Sequence, residues 1–209
     1  MRTISRTMIG SHMWEMNHED SDEDYFEIYL GDTKKLLMGK PEDDSTFMHS
    51  DEVDIHKHEV GKVVNQLLKG NINFIVGVTS PLVTYACGEF IELRKMTIDN
   101  LSKNCYYSIK GMSKHNYQRY FEDEHSDVVK SKDEYTKKCN QIIRYLDFGI
   151  DLLSNKELNY KKVKDGNVKE VKEKIDMLDE AFEESTLPEK VDEEPFRDYL
   201  YRIRLEDLK

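Results

Sequence analysis

"MIGSHMWEMNHEDSDEDYFEIYL", residues 8–30, carries the pattern that decides the reading of this chain. Gly10 and Ser11 follow a short apolar segment, and Asp22 comes eleven residues after Ser11. Glu19, Asp20, Asp22, Glu23 and Asp24 crowd five carboxylates together and run straight into "YFEIYL". Side chains two apart on a strand point to the same side. Tyr25, Glu27 and Tyr29 therefore share one face and Phe26, Ile28 and Leu30 the other, which reads as a half-buried strand. The same parity turns Asp22 and Asp24 toward one place and Glu23 away. Two carboxylates aimed together repel unless they are protonated or bind cations. Hard oxygen ligands of this kind suit Mg2+ or Mn2+.

Working upstream, "RTMIGS" reads as a strand that ends at Gly10, and "HMWEMN" as a short helix. Glycine lets a backbone approach a ligand closely, and the first N–H groups of a helix lack internal partners. Gly10 and Ser11 are thus a candidate anion cradle. Working downstream, "DEVDIHKH" is a second strand candidate and offers Asp54 as a third carboxylate, with Asp51 as its competitor. Three carboxylates suffice for a two-metal site, in which ions about 3.5–4 Å apart clamp the attacking and leaving oxygens of an in-line displacement. His56 and His58 alternate with Asp54. They offer a second chemistry, a metal-dependent phosphoesterase built on Asp54, His56 and His58.

The 209 residues fit one domain or two small ones. The chain is 38% hydrophobic and 35% charged, with a net charge of −11. The first hundred residues carry −8 of that charge and the remainder −3. An acidic surface argues against sequence-independent grip on a long duplex, which needs Lys and Arg for its phosphates. It leaves room for a polyanion that arrives with divalent ions. No apolar run approaches the roughly 20 residues that span a bilayer, and no signal peptide is legible at the N-terminus. Cys87, Cys105 and Cys139 fit no zinc or redox spacing and read as reduced thiols, so the expected location is cytoplasmic.

"EVGKVVNQLLKGN" has Val60, Val63, Val64, Leu67 and Leu68 at helical spacing, with a stop at Gly70-Asn71. Residues 31–50 read as weak helix or loop. Beyond residue 96 the pattern turns helical. Ile142, Ile143, Leu146, Ile150 and Leu153 form one stripe. Val168, Val171, Ile175, Leu178 and Phe182 form a second, and Phe196, Leu200 and Ile203 a third. Residues 100–121 interleave Lys103, Lys110, Lys114 and Arg119 with Tyr106, Tyr107, Tyr117 and Tyr120. Such a stretch either binds phosphate and stacks a base or packs as an ordinary amphipathic segment.

The opening motif resembles the Gly-Ser…Asp-x-Asp signature of the DNA polymerase β nucleotidyltransferase superfamily. It is most similar to its RlaP-type branch, whose motif reads like "GSRAYGLATPDSDYDVRGIY". Gly10, Ser11, Ser21, Asp22, Asp24, Ile28 and Tyr29 match without a gap. "HEVGKVVNQLLKGNINFIVGVTSP" is similar to the family's "YELRKFLRLLLKGNPNVLELLFSP", and "KKCNQIIRYLDFGIDLL" and "STLPEKVDEEPFRDYL" continue the likeness. The chain departs from the family at His12, usually Arg, and at Glu15, often Gly. It departs again at Ile72 for Pro, Val76 for Glu and Gln141 for His. None of these removes a candidate ligand.

The resemblance implies an α/β fold, a small mixed sheet with helices over residues 1–98, followed by an all-helical domain over 99–209. It implies NMP transfer from an NTP to an acceptor hydroxyl with release of pyrophosphate. Asp22, Asp24 and Asp54 would hold two Mg2+ or Mn2+ ions, and Gly10 and Ser11 the phosphates. Lys138 and Arg144, in a family-like segment, would add charge toward the triphosphate. The acceptor would be RNA, a protein side chain or a small molecule. A non-catalytic nucleotide-binding module is the remaining alternative.

Overall fold

The computed structural model describes residues 1–41, 43–50, 52–122 and 131–209. It divides into two compact units. One joins Met1–Leu101 with Lys190–Lys209, and the other is Ser102–Glu189.

The first unit is built on five strands: β1 (Arg2–Met8), β2 (Glu23–Leu30), β3 (Ser45–His49), β4 (Val53–Glu59) and β5 (Val83–Ala86). Their order across the sheet is β3-β4-β2-β1-β5. β2 and β4 run parallel and every other pair is antiparallel, so the sheet is mixed as expected. Five helices belong to the same stretch: α1 (Gly10–Met13), α2 (Thr33–Leu37), α3 (Val60–Leu68), α4 (Ile72–Thr79) and α5 (Gly88–Asp99).

The "YFEIYL" strand departs from the half-buried reading: Phe26 through Leu30 are all buried. β2 is the central strand of the sheet, and side chains on both of its faces are covered. Phe26 packs under α4 so closely that a Cβ on Gly77 would lie 2.6 Å from its ring. On the other face Glu27 is 1% exposed, and its carboxylate accepts from Arg6 at 2.9 and 2.6 Å and meets Lys57 at 3.2 Å. Arg6, Glu27 and Lys57 are register partners on three adjacent strands, which gives a buried charge the partners it requires.

α3 forms where the spacing predicts, burying Val60, Val63, Val64 and Leu67, with the Glu59 carboxylate accepting from the Gly61 N–H at its start. α4 is buried nearly all round, capped by Asn71, with Ile72 at its first position. That position is where proline is favoured, so Ile72 keeps the geometry of the family's Pro. β3 is a strand the sequence reading left as weak helix or loop. Its five residues form a short edge strand with Phe47 and Met48 exposed, so it lacks the buried alternation that signals a strand.

A ninth helix, α9 (Glu194–Asp207), returns to this first unit. It buries Phe196, Tyr199 and Ile203, and the Tyr199 hydroxyl donates to the Glu89 carbonyl at 3.1 Å. Arg204 donates to the Gly31 carbonyl at 3.0 Å and pairs with the Glu59 carboxylate.

The second unit holds α6 (Cys105–Tyr117), a π-helical turn at Gln118–Glu122, α7 (Lys132–Asn155) and α8 (Val168–Glu184). α7 opens on a capping box between Ser131 and Glu134 and buries Ile142, Ile143, Leu146 and Leu153. Tyr106 stacks on Phe182 with ring centroids 4.1 Å apart. The three cysteines are unpaired. Among the described residues no helix is long and apolar enough to cross a membrane.

Candidate active site

Asp24 and Asp54 are register partners on the parallel strands β2 and β4. Partners on adjacent strands set their side chains side by side on one face. Asp22 stands just ahead of β2, where the chain is not yet bound by strand spacing. Asp22, Asp24 and Asp54 each offer a carboxylate oxygen, and these oxygens all lie within 4.8 Å of one another. Among the described residues this is the one group of three or more His, Cys, Asp or Glu side chains that converges in this way. Asp51, the competitor of Asp54, lies outside the described residues.

Gly10 sits directly against this cluster. Its φ is +64°, in the left-handed region, and a Cβ there would lie 1.9 Å from Asp24 Oδ2. The Ile9 N–H donates to the Asp24 carbonyl at 2.8 Å, which locks the start of α1 to β2. Ser11 opens the first turn of α1, and its carbonyl accepts from the Met16 N–H at 2.9 Å. The connection to Asp22 is pinned at both ends. Trp14 is fully buried, and Ser21 Oγ accepts from the His18 N–H at 2.8 Å. Glu15, where the resemblance has Gly, has φ +54°. The turn needs a left-handed residue there, and this chain meets the need with a strained side chain.

His49, at the end of β3, is the register partner of Asp54, so His49, Asp54 and Asp24 form one row across three strands. His49 Nδ1 lies 2.5 Å from Asp54 Oδ1. The sequence reading did not single out His49. Its signal was the pairing of β3 with β4, which appears only once β3 is recognised as a strand.

The ligand set of Asp54, His56 and His58 is not assembled. Residues in phase along a strand stand roughly 6.6 Å apart, so three of them spread too widely to share an ion. His58 is instead a packing residue. Its Nδ1 pairs with Ser45 Oγ at 2.7 Å, and its ring lies 4.9 Å from Phe26 and 4.8 Å from Phe74. Burial first, then the charge of Lys62 and the neighbouring His56, push its pKa down to about 4. His56 packs against Phe47 at 4.7 Å.

Lys138 and Arg144 lie on α7 of the second unit. Lys138 Nζ stands 4.8 Å from the Tyr120 ring centroid, and burial, then Lys137 and Arg119, lower its pKa. Arg144 lies over the Tyr145 ring at 5.3 Å. In the basic and aromatic stretch 100–121, several residues are committed to the unit's own packing. Lys110 pairs with Asp179 at 2.7 Å and with the Tyr106 hydroxyl at 2.7 Å, and Lys103 pairs with Glu189 at 3.1 Å.

A family model described as "RlaP: RNA repair pathway DNA polymerase beta family" matches residues 1–146. The chain belongs to the RlaP family. The RlaP match spans every residue of the carboxylate cluster and runs into α7, and it makes this chain a member of a nucleotidyltransferase family. The chain is also similar to the solved structure of a nucleotidyltransferase-like protein from Exiguobacterium sibiricum 255-15. The identity is 10% and the TM-score 0.32, over 98% of this chain and 74% of that one. No curated protein matches.

Proposed function

We propose that this chain transfers an NMP from an NTP to an acceptor hydroxyl with release of pyrophosphate. The observation that carries the reading is the convergence of Asp22, Asp24 and Asp54 within 4.8 Å beside Gly10, in a chain of this family. Three converging carboxylates are a donor set of hard oxygens, which fits Mg2+ or Mn2+. Two such ions, when bound, neutralise phosphate charge and polarise the reacting oxygens.

The protein's own part is positioning. Asp22, Asp24 and Asp54 would hold the cations. Gly10 and Ser11, with backbone N–H groups free of helix partners, receive the β- and γ-phosphates. The acceptor oxygen forms a bond to the α-phosphorus as the bond from that phosphorus to the β-phosphate oxygen breaks, pyrophosphate leaves, and the hydroxyl proton passes to solvent. The sheet unit, residues 1–98 together with the returning α9, acts as the catalytic domain, and the helices of residues 102–189 form the second domain, in a cytoplasmic enzyme.

The family's description names RNA repair, so an RNA hydroxyl is the first acceptor to test, ahead of protein side chains and small molecules. The test is incubation with each α-32P-labelled NTP, Mg2+ or Mn2+, and fractionated cell extract. Label on one acceptor class with equimolar pyrophosphate supports the reading. Tight NTP binding without turnover on any acceptor would assign a non-catalytic nucleotide-binding module instead.

A further inference from the structure

We infer that His49 is a positioning residue that holds the Asp54 carboxylate in its cation-binding orientation. This rests on the reading of Asp22, Asp24 and Asp54 as a cation site. His49 Nδ1 is 2.5 Å from Asp54 Oδ1. An ionised carboxylate can only accept, so the hydrogen lies on Nδ1. The bond occupies one oxygen of Asp54 and fixes the rotation of the carboxylate, leaving the other oxygen for a cation.

The surroundings hold the pair in register. Ser50 and Val53 close the β3–β4 hairpin beside it: the Ser50 N–H donates to the Val53 carbonyl and the Val53 N–H to Ser50 Oγ, each at 3.0 Å. On the other side the Phe47 ring lies nearly parallel to the His49 ring, 18° between planes and 6.1 Å between centroids. The His49 side chain is 67% exposed while that of Asp54 is 16% exposed. His49 therefore fills no core space, and its polar contact is with the candidate ligand. Groups that hydrogen-bond a metal-binding side chain from outside typically change metal affinity or activity 10–100-fold when removed.

The test uses the full chain and Mn2+ alone, with binding read from the loss of the electron paramagnetic resonance signal of free Mn2+. His49→Ala should weaken Mn2+ binding about 10–100-fold with an unchanged circular dichroism spectrum. His49→Asn should recover affinity to within about threefold of wild type, because Asn Nδ2 sits the same two bonds from Cβ as His Nδ1. His49→Ala binding like wild type, or His49→Asn as weak as His49→Ala, would overturn the role of His49. Asp22→Asn with Asp24→Asn separates this from the reading beneath it. If that double variant abolishes Mn2+ binding while His49→Ala leaves it intact, only the His49 role falls. If it binds Mn2+ as wild type does, the carboxylate site itself is wrong and both fall.

Discussion

Asp24 on β2 and Asp54 on β4 face each other in parallel register, and Gly10 packs its backbone against Asp24 with no room for a side chain. Two carboxylates are thus fixed side by side by backbone hydrogen bonding rather than by their own attraction. Cations bound there would relieve their mutual repulsion.

Replacing both Asp22 and Asp24 by Asn should lower NMP transfer by about a thousandfold or more, since cation-mediated charge stabilisation is worth several kcal/mol. The fold should persist, because Asp22 is exposed and Asp24 half-buried. In metal-free buffer the double variant should melt at or above the wild-type temperature, since like charges have been removed. Saturating Mg2+ should raise the wild-type melting temperature and leave that of the variant unchanged. Calorimetry with and without Mg2+ checks both, and a wild-type rate in the variant would sink the site.

Gly10→Ala should cost both stability and activity. The new Cβ meets Asp24 Oδ2 at 1.9 Å, and the φ of +64° adds backbone strain of about 1–3 kcal/mol. The expected result is a lowered urea midpoint together with loss of transfer. A variant with wild-type stability and rate would show that Gly10 does not crowd Asp24 in solution.

Glu27→Ala should destabilise the first unit by about 3 kcal/mol, read by urea denaturation. It leaves Lys57 and Arg6 without their shared carboxylate beneath the sheet. Arg6 retains contact with water, which holds the cost at the low end of the range for breaking buried pairs. Activity at low temperature should survive, because Glu27 points away from Asp24.

His58 gives the protein an acid-sensitive fold. Its pKa is about 4 in the folded chain against an ordinary 6.5, because burial disfavours the charged ring. The unfolded chain therefore binds more protons between these values. Stability from the neutral, buried ring is complete above about pH 6.5 and is lost as pH falls toward 4. His58→Asn cannot titrate there and keeps a partner for Ser45. The difference in unfolding free energy between wild type and this variant should shift against wild type as pH drops through that window. A difference that stays flat from pH 7 to 4 would contradict the burial of the ring.

Much of the site was legible because its signals are local. The acidic residues and the Gly10-Ser11 spacing lie within one continuous segment, although Asp22 stands ahead of β2 rather than in the strand whose parity was expected to pair it with Asp24. The α3, α7 and α8 stripes are likewise read from 3.6-residue periodicity, and the structure buries most of the α3 and α7 positions and, on α8, Val171 and Leu178. β3 was not legible, because an edge strand with exposed Phe47 and Met48 shows no buried alternation. His49 went unnoticed with it.

The sequence by itself determined the order and type of most elements, the mixed α/β character and the acidic residues offered for chemistry, because these depend on near neighbours along the chain. The tertiary structure alone decided which long-range partners meet. Strand register set Asp54 beside Asp24 and brought His49 against the Asp54 carboxylate. Packing returned α9 to the sheet unit, although its apolar stripe could have met any hydrophobic face. Periodicity says which side of an element is buried. Against which partner it is buried follows from hydrogen-bond register and shape, and neither is written in any one segment.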